Sequence, residues 1–535
     1  MHKLILFSLL FSFLGSPLIA QEAVLTPEFH KSKREALRAE MPANSVAVLF
    51  SNPVRNRAND VDYVYHPDPN FYYLTGLKEP QSVLVVYKNP QQDDQGQYVD
   101  QLFVQERDPA KEQWNGYRLG VEGAEALGVD RVLLRSEFIK NQTNFTSFEE
   151  VLIFEFKNDV RDDKNDPNDL YDLQRTFKEN INYPQDFNRL RHRLLKSIRT
   201  VGKEDVETLK NEINWYAGRN ESIAEDPAIK NFLESSTLEV PEDLKMQVAF
   251  LLKDQYFDVE LLGQLLGDQR EVKTVEEIAL LKKAIGISVV GQREVMKAMR
   301  PDMSEREIQG IHEFVFKKYG AAYEGYPSIV GAGSNACVLH YIENDDVGMD
   351  SDLMLMDLGA EYEGYTADIT RTIPKDGTFS EEQKLIYQIV YDAQEAGIEA
   401  AVVGSTSGQI TRITQEVVAK GLVRLGIIAK EDEFRTYYPH GAAHHIGLDV
   451  HDLSNYGPFK ADAIITVEPG IYIPKNSPCD PKWWGIGIRI EDDVLITEKG
   501  PINISANAPR TWEAIEELMK ESSPLDQFLL PELGN

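Results

Sequence analysis

Four carboxylates lie at the ends or in the turns of apolar, strand-like segments, and this constrains the chain more than any other feature. Asp357 closes the apolar run 353–358, and Asp368 lies within 365–373. Glu468 interrupts the run 463–473, and Glu491 belongs to the alternating run Gly485-Ile486-Gly487-Ile488-Arg489-Ile490-Glu491. A buried ionised carboxylate is costly unless it is paired or bound to a cation. Any one of these acids alone reads more readily as a turn residue or a cap. Gly359 and Gly364 bracket a turn, so the segments bearing Asp357 and Asp368 are predicted to pair as a hairpin and aim both acids at one side. Period-two alternation puts Gly487, Arg489 and Glu491 on one face, opposite Ile486, Ile488 and Ile490. In isolation Arg489 and Glu491 read as a simple ion pair.

Histidines add to the set. His440, His444, His445 and His451 fall within twelve residues, four of the ten in the chain. A lone His is usually a satisfied core or surface residue; four together, beside glycines that let backbone pass closely, point to a site. Joined, four carboxylates and an imidazole suit hard or borderline divalent ions, and no thiolate accompanies them to make a structural zinc site. Two divalent ions balance four carboxylates, whereas one would leave buried negative charge in excess.

At 535 residues the chain exceeds one ordinary core, so at least two domains are expected. The runs 45–50 and 82–87 read as short buried strands and 28–40 as a helix, which predicts an α/β domain over 26–265. Composition shifts over 157–185, where 157–167 is charged and turn-rich, and 186–267 is helical in pattern. A second domain over 270–520 opens on the capping-box spacing of Thr274 and Glu277, which recurs at Ser304/Glu307 and Ser380/Gln383. Strand-like segments 353–358, 365–373, 463–473 and 486–496 among those helices predict an α+β arrangement, helices on an antiparallel sheet. Residues 521–535 are left as a tail.

The 87 acidic against 56 basic residues leave a formal charge of -31, which repels phosphate backbones and anionic lipid. Nucleic acid and membrane surfaces are therefore excluded as partners. Residues 4–19 are almost wholly apolar, short for a membrane span and long enough for the core of a secretory signal. Removal of 1–20 is expected, with an uncleaved anchor as the alternative, so the protein is predicted to be exported, periplasmic or secreted. Cys337 and Cys479 are the only cysteines and are expected to be free thiols.

Five ordered motifs together resemble the bacterial Xaa-Pro aminopeptidase family, metallopeptidases of the pita-bread fold. They are the run from Pro327 to His340 and Tyr341, the Asp357/Asp368 pair, the His440 segment, Val467-Glu468-Pro469-Gly470, and the Arg489/Glu491 strand. The likeness extends to 70–80, 114–120 and 511–519. It implies a creatinase-like N-terminal α/β domain and a C-terminal pita-bread domain with an antiparallel sheet covered by helices. The export signal and a helical insertion over about 139–253 depart from the family pattern. By this resemblance Asp357 binds a first metal, Asp368 and Glu491 bridge both, and His444 and Glu468 complete the second. It implies a bridging hydroxide as nucleophile, since two ions ~3.5–4 Å apart lower the pKa of a shared water. Glu468 would also shuttle the proton, and His340 and His451 would steady the oxyanion. His440, Tyr472 and Arg489 resemble residues behind the ligands or in a proline pocket, and His445 matches no functional position. Trp114 matches a loop that reaches a neighbouring subunit's site, which implies a homo-oligomer, dimer or tetramer.

The implied metal is manganese, Mn(II), with zinc or cobalt as alternatives, and the implied substrates are peptides with proline at the second position. Three other readings compete: a prolidase confined to Xaa-Pro dipeptides, a non-catalytic pita-bread protein that binds peptide, and a methionine aminopeptidase. The second loses weight because all five ligands are present. The third lacks the large N-terminal domain.

Overall fold

The computed structural model describes residues 24–140, 143–235, 239–253, 255–346 and 353–527. The expected signal segment at 1–20 and the end of the tail lie outside them. The β-branched run Ser45–Phe50 sits inside a six-stranded sheet. It pairs antiparallel with Val83–Asp93 and parallel with Glu150–Leu152. The helix Pro27–Glu40, capped by the Thr26 hydroxyl, buries Phe29 and Leu37 against this domain.

Residues 157–167 hold neither helix nor strand, as their charge predicts. A helix follows at Leu170–Asn180, started by the Asp169 side chain and burying Leu173 and Phe177. Four helices, Arg189–Thr200, Val206–Ala217, Pro227–Glu234 and Glu242–Leu251, then close around a core of their own that includes Ile198, Ile213, Phe232 and Val248. The helical reading of 186–267 is corrected at Phe257–Asp258, a strand that rejoins the sheet beside Glu150–Leu152. The strand Glu150–Leu152 falls inside the insertion expected over about 139–253, so the excursion that leaves and rejoins the sheet is the stretch 153–256. No helix among the described residues is long and apolar enough to cross a membrane.

In the second domain all three predicted helix starts form complete capping boxes, at Thr274, Ser304 and Ser380. The strands need correction. The run 463–473 is two strands, Ile464–Val467 and Gly470–Ile473, in different sheets with Glu468 and Pro469 between them. Pro469 has no N–H to give a ladder, which favours the break. The run 486–496 divides into Ile486–Arg489 and Asp492–Thr497 around Glu491. The run 365–373 divides into Tyr365–Thr366 and Thr370–Pro374 around Asp368. The strand Leu353–Asp357 pairs with Thr370–Pro374, with Asp357 opposite Thr370. Between them the tip folds as a separate hairpin, Glu361 opposite Thr366, turning at Glu363 and Gly364, both at positive φ. Gly359 is required there, because a Cβ would overlap the carbonyl oxygen of Ala367. Each of the four carboxylates therefore marks a point where the chain crosses from one small sheet to another.

Behind this layer the Val275–Ala298 and Glu305–Lys318 helices pack face to face, and His312 is fully buried there, with no partner for either ring nitrogen among the described residues. Burial holds its imidazole down to about 3. Between 6.5 and about 3 only the unfolded chain takes up this proton, so the His312 share of stability is full above 6.5 and lost as pH falls. His312→Leu is expected to leave neutral stability equal or higher and to flatten the acid limb, by at most about 1.4 kcal/mol per pH unit. Denaturant melts from neutral to acid pH check this; an unchanged slope would refute it.

Candidate metal centre

The four crossings converge on one cavity of about 610 Å³. Its walls include Asp357, Asp368, His444, Glu468 and Glu491, together with His340, His440, His451 and Arg489. Tyr472 stands directly behind, its hydroxyl 2.9 Å from His440 Nε2 and 3.1 Å from Arg489 Nη1. Trp114 does not line this cavity. It lies on the helix Pro109–Asn115 and is 86% exposed. His445 is buried, and among the described residues neither ring nitrogen has a partner.

His444 Nδ1 lies 3.1 Å from the His445 carbonyl, to which it can only donate. This bond assigns the proton to Nδ1 and turns the Nε2 lone pair towards Asp368 Oδ2 and Glu468 Oε1, each 3.5 Å away. A lone pair facing two carboxylates is unfavourable unless a cation stands between them. Ligand atoms of Asp368, His444 and Glu491 all lie within 4.8 Å of one another. Burial first, then the Asp357 charge, pushes the Asp368 carboxyl well above its ordinary range. Burial, then Asp368 and Glu468, does the same to Glu491, and burial raises Glu468. Such mutual repulsion is what divalent ions would relieve, so the donor set fits them.

Asp357 is steadied differently: Arg489 Nη2 donates to its Oδ2 at 2.5 Å. Arg489 Nη1 also donates to the Tyr472 hydroxyl, which faces His440 Nε2, while His440 Nδ1 donates to the Gly441 carbonyl at 2.6 Å. His440 is kept neutral, lowered to about 4 by burial and then by Arg489, against the Gly441 bond, which raises it. Arg489 and Glu491 are not the simple ion pair they suggest in isolation.

Two residues escaped the sequence reading. The Tyr326 hydroxyl reaches Asp357 Oδ1 and Asp368 Oδ1, both at 2.6 Å, and its only sequence signal is its place just before Pro327. Thr370 Oγ1 donates to Glu491 Oε2 at 2.6 Å and accepts from Arg489 Nε at 3.1 Å. Nothing local distinguishes that Thr from others in a strand.

Fold and donor set together define a metallopeptidase. The profile of metallopeptidase family M24 matches residues 279–498, and that of the aminopeptidase P N-terminal domain matches 30–150. The Xaa-Pro aminopeptidase of Escherichia coli K12 is 32% identical over 505 residues, covering 92% of this chain and 97% of that protein. The Xaa-Pro aminopeptidase of Haemophilus influenzae is 32% identical over 517 residues, covering 94% and 99%. The solved structure of E. coli aminopeptidase P with the inhibitor Pro-Leu superposes with a TM-score of 0.72 at 30% identity, covering 92% of this chain and 98% of that one. This chain belongs to the aminopeptidase P family of M24 metallopeptidases, with the pita-bread fold that the motifs imply.

Proposed function

We propose that this enzyme hydrolyses the bond between an N-terminal residue and a following proline, with two divalent ions held by Asp357, Asp368, His444, Glu468 and Glu491. The observation that carries the reading is the His444 lone pair, aimed at Asp368 and Glu468 with Glu491 in the same cluster. Relatives that span nearly their whole length with this chain are named Xaa-Pro aminopeptidases. Divalent ions at such a site supply a nucleophile from water near neutral pH and polarise the scissile carbonyl. Glu468, raised by burial, lines the same cavity and suits the transfer of a proton from water to the leaving amine. His340 and His451 stand on the cavity wall, where donors can steady the oxyanion. The Arg489–Tyr472–His440 chain holds a neutral imidazole against the site.

Manganese is our choice from the oxygen-rich donor set, with zinc or cobalt as alternatives. The apolar run 4–19 supports export, and the exposed aromatics Trp114 and Tyr117 support an oligomer in which this loop meets a second copy. The test compares turnover of an Xaa-Pro dipeptide and an Xaa-Pro-Yaa tripeptide after chelation, each with and without added Mn(II). Metal-dependent cleavage of the tripeptide is expected. Cleavage of the dipeptide alone would make the enzyme a prolidase, and cleavage of neither would overturn the reading.

A further inference from the structure

We infer that Arg270 and Lys273, at the junction between the two domains, are positioning residues that hold His451 through the buried carboxylate of Asp452; this rests on the reading of His451 as an oxyanion-steadying group. Arg270, Asp452 and Lys273 are 1%, 2% and 3% exposed. Lys273 Nζ donates to Asp452 Oδ2 at 2.7 Å, and Arg270 Nη2 donates to Asp452 Oδ1 and, at 3.1 Å, to Asp449 Oδ2. Arg270 Nη1 reaches back to Asn70 Oδ1 of the N-terminal domain at 2.7 Å.

Asp452 in turn closes the loop 444–452. Its N–H donates to the His445 carbonyl at 2.8 Å, and its Oδ1 accepts from Asp449 N at 3.3 Å. Its carboxylate lies against Gly447, where any Cβ would collide with it. The loop therefore begins at His444 and ends at His451, with Asp452 as the clasp. Among the described residues no hydrogen bond holds the His451 ring, which touches the His444 ring edge-on at 4.3 Å between centroids. The backbone must set its place, and the backbone is set by Asp452. Burial alone would raise that carboxyl, but Arg270 and Lys273 more than offset this and hold it below its ordinary range. The clasp is thus a charged one in which both Asp452 oxygens are partnered, and it joins Asn70 to the catalytic cavity.

Arg270→Lys keeps the charge but loses the fork that spans Asn70, Asp449 and Asp452. With the manganese-loaded enzyme and an Xaa-Pro-Yaa tripeptide, kcat is expected to fall roughly 10–100-fold, with KM and metal content close to wild type. In the His451→Ala background the same change is expected to have no further effect, because the group being positioned is gone. Asn70→Ala, at the partly exposed end of the network, serves if Arg270→Lys does not fold, and should show a smaller effect that likewise vanishes without His451. Multiplicative losses in the double variant, or metal lost in proportion to activity, would overturn the inference. Full activity of His451→Ala would overturn it too, by leaving nothing to position. A failed proline specificity, by contrast, would show in the wild-type enzyme.

Discussion

Glu491→Ala is expected to remove metal binding and turnover together. Glu491 is 2% exposed, and it belongs with Asp368 and His444 to the cluster whose ligand atoms converge within 4.8 Å. Loss of a partner one shell out typically costs 10–100-fold, so loss of a ligand is expected to exceed roughly 100-fold in activity. Stability should move in the opposite sense in the metal-free protein. Removing one of several mutually repelling buried carboxylates relieves repulsion that raises Asp368, Glu468 and Glu491 alike. The metal-free variant is therefore expected to melt at or above metal-free wild type, and a rise in Tm on adding divalent ions is expected in wild type but not in the variant. Metal analysis and paired melts measure both effects. Undiminished metal content, or full turnover in metal-depleted buffer, would refute the two-metal assignment.

Arg371→Met is expected to cost about 3–5 kcal/mol, because it leaves the Asp492 carboxylate in the core without a counter-charge, held only by the neutral donors Gln394 and Ser505. Arg371 and Asp492 are both 0% exposed, and Nη2 donates to Asp492 Oδ1 at 2.7 Å. The remaining donors go to the carbonyls of Thr370, Glu491, Ala508 and Pro509 at 2.6–2.9 Å. One guanidinium therefore ties the strand after Asp368, the crossing at Glu491 and the segment before the helix Trp512–Leu518. Arg371→Met with Asp492→Leu is expected to recover part of the loss, since no charge is then unpaired while the four carbonyls still lose their donor. Urea unfolding followed on the catalytic domain measures this. A cost below about 1 kcal/mol for the single variant would place the pair in water, against its burial.

Local signals carried over well. The helix starts at Thr274, Ser304 and Ser380 were readable because a capping box is made within four residues. The run Ser45–Phe50 formed where its β-branched residues predict. The break at Glu468 had a signal in Pro469, but those at Asp368 and Glu491 were not readable. Alternation passes unbroken through Ile488, Arg489, Ile490 and Glu491, yet the hydrogen-bond partner changes from Gly470–Ile473 to Ile464–Val467 across that point. Tyr326 and Thr370 escaped for the same reason: their partners lie 31 to 121 residues away.

The sequence by itself determined the chemistry of this protein: four carboxylates and a histidine loop whose charge and donor type call for divalent ions. It also determined on which face each strand residue stands, because period two is a property of the local backbone. Only the tertiary structure decided that the four acids meet, since each lies where the chain leaves one sheet for another and pairing partners are chosen over long range. It decided, too, that Asp357 leans on Arg489 and that Asp452 clasps the histidine loop. Those contacts are made by burial of charge, which no short stretch of sequence can satisfy alone.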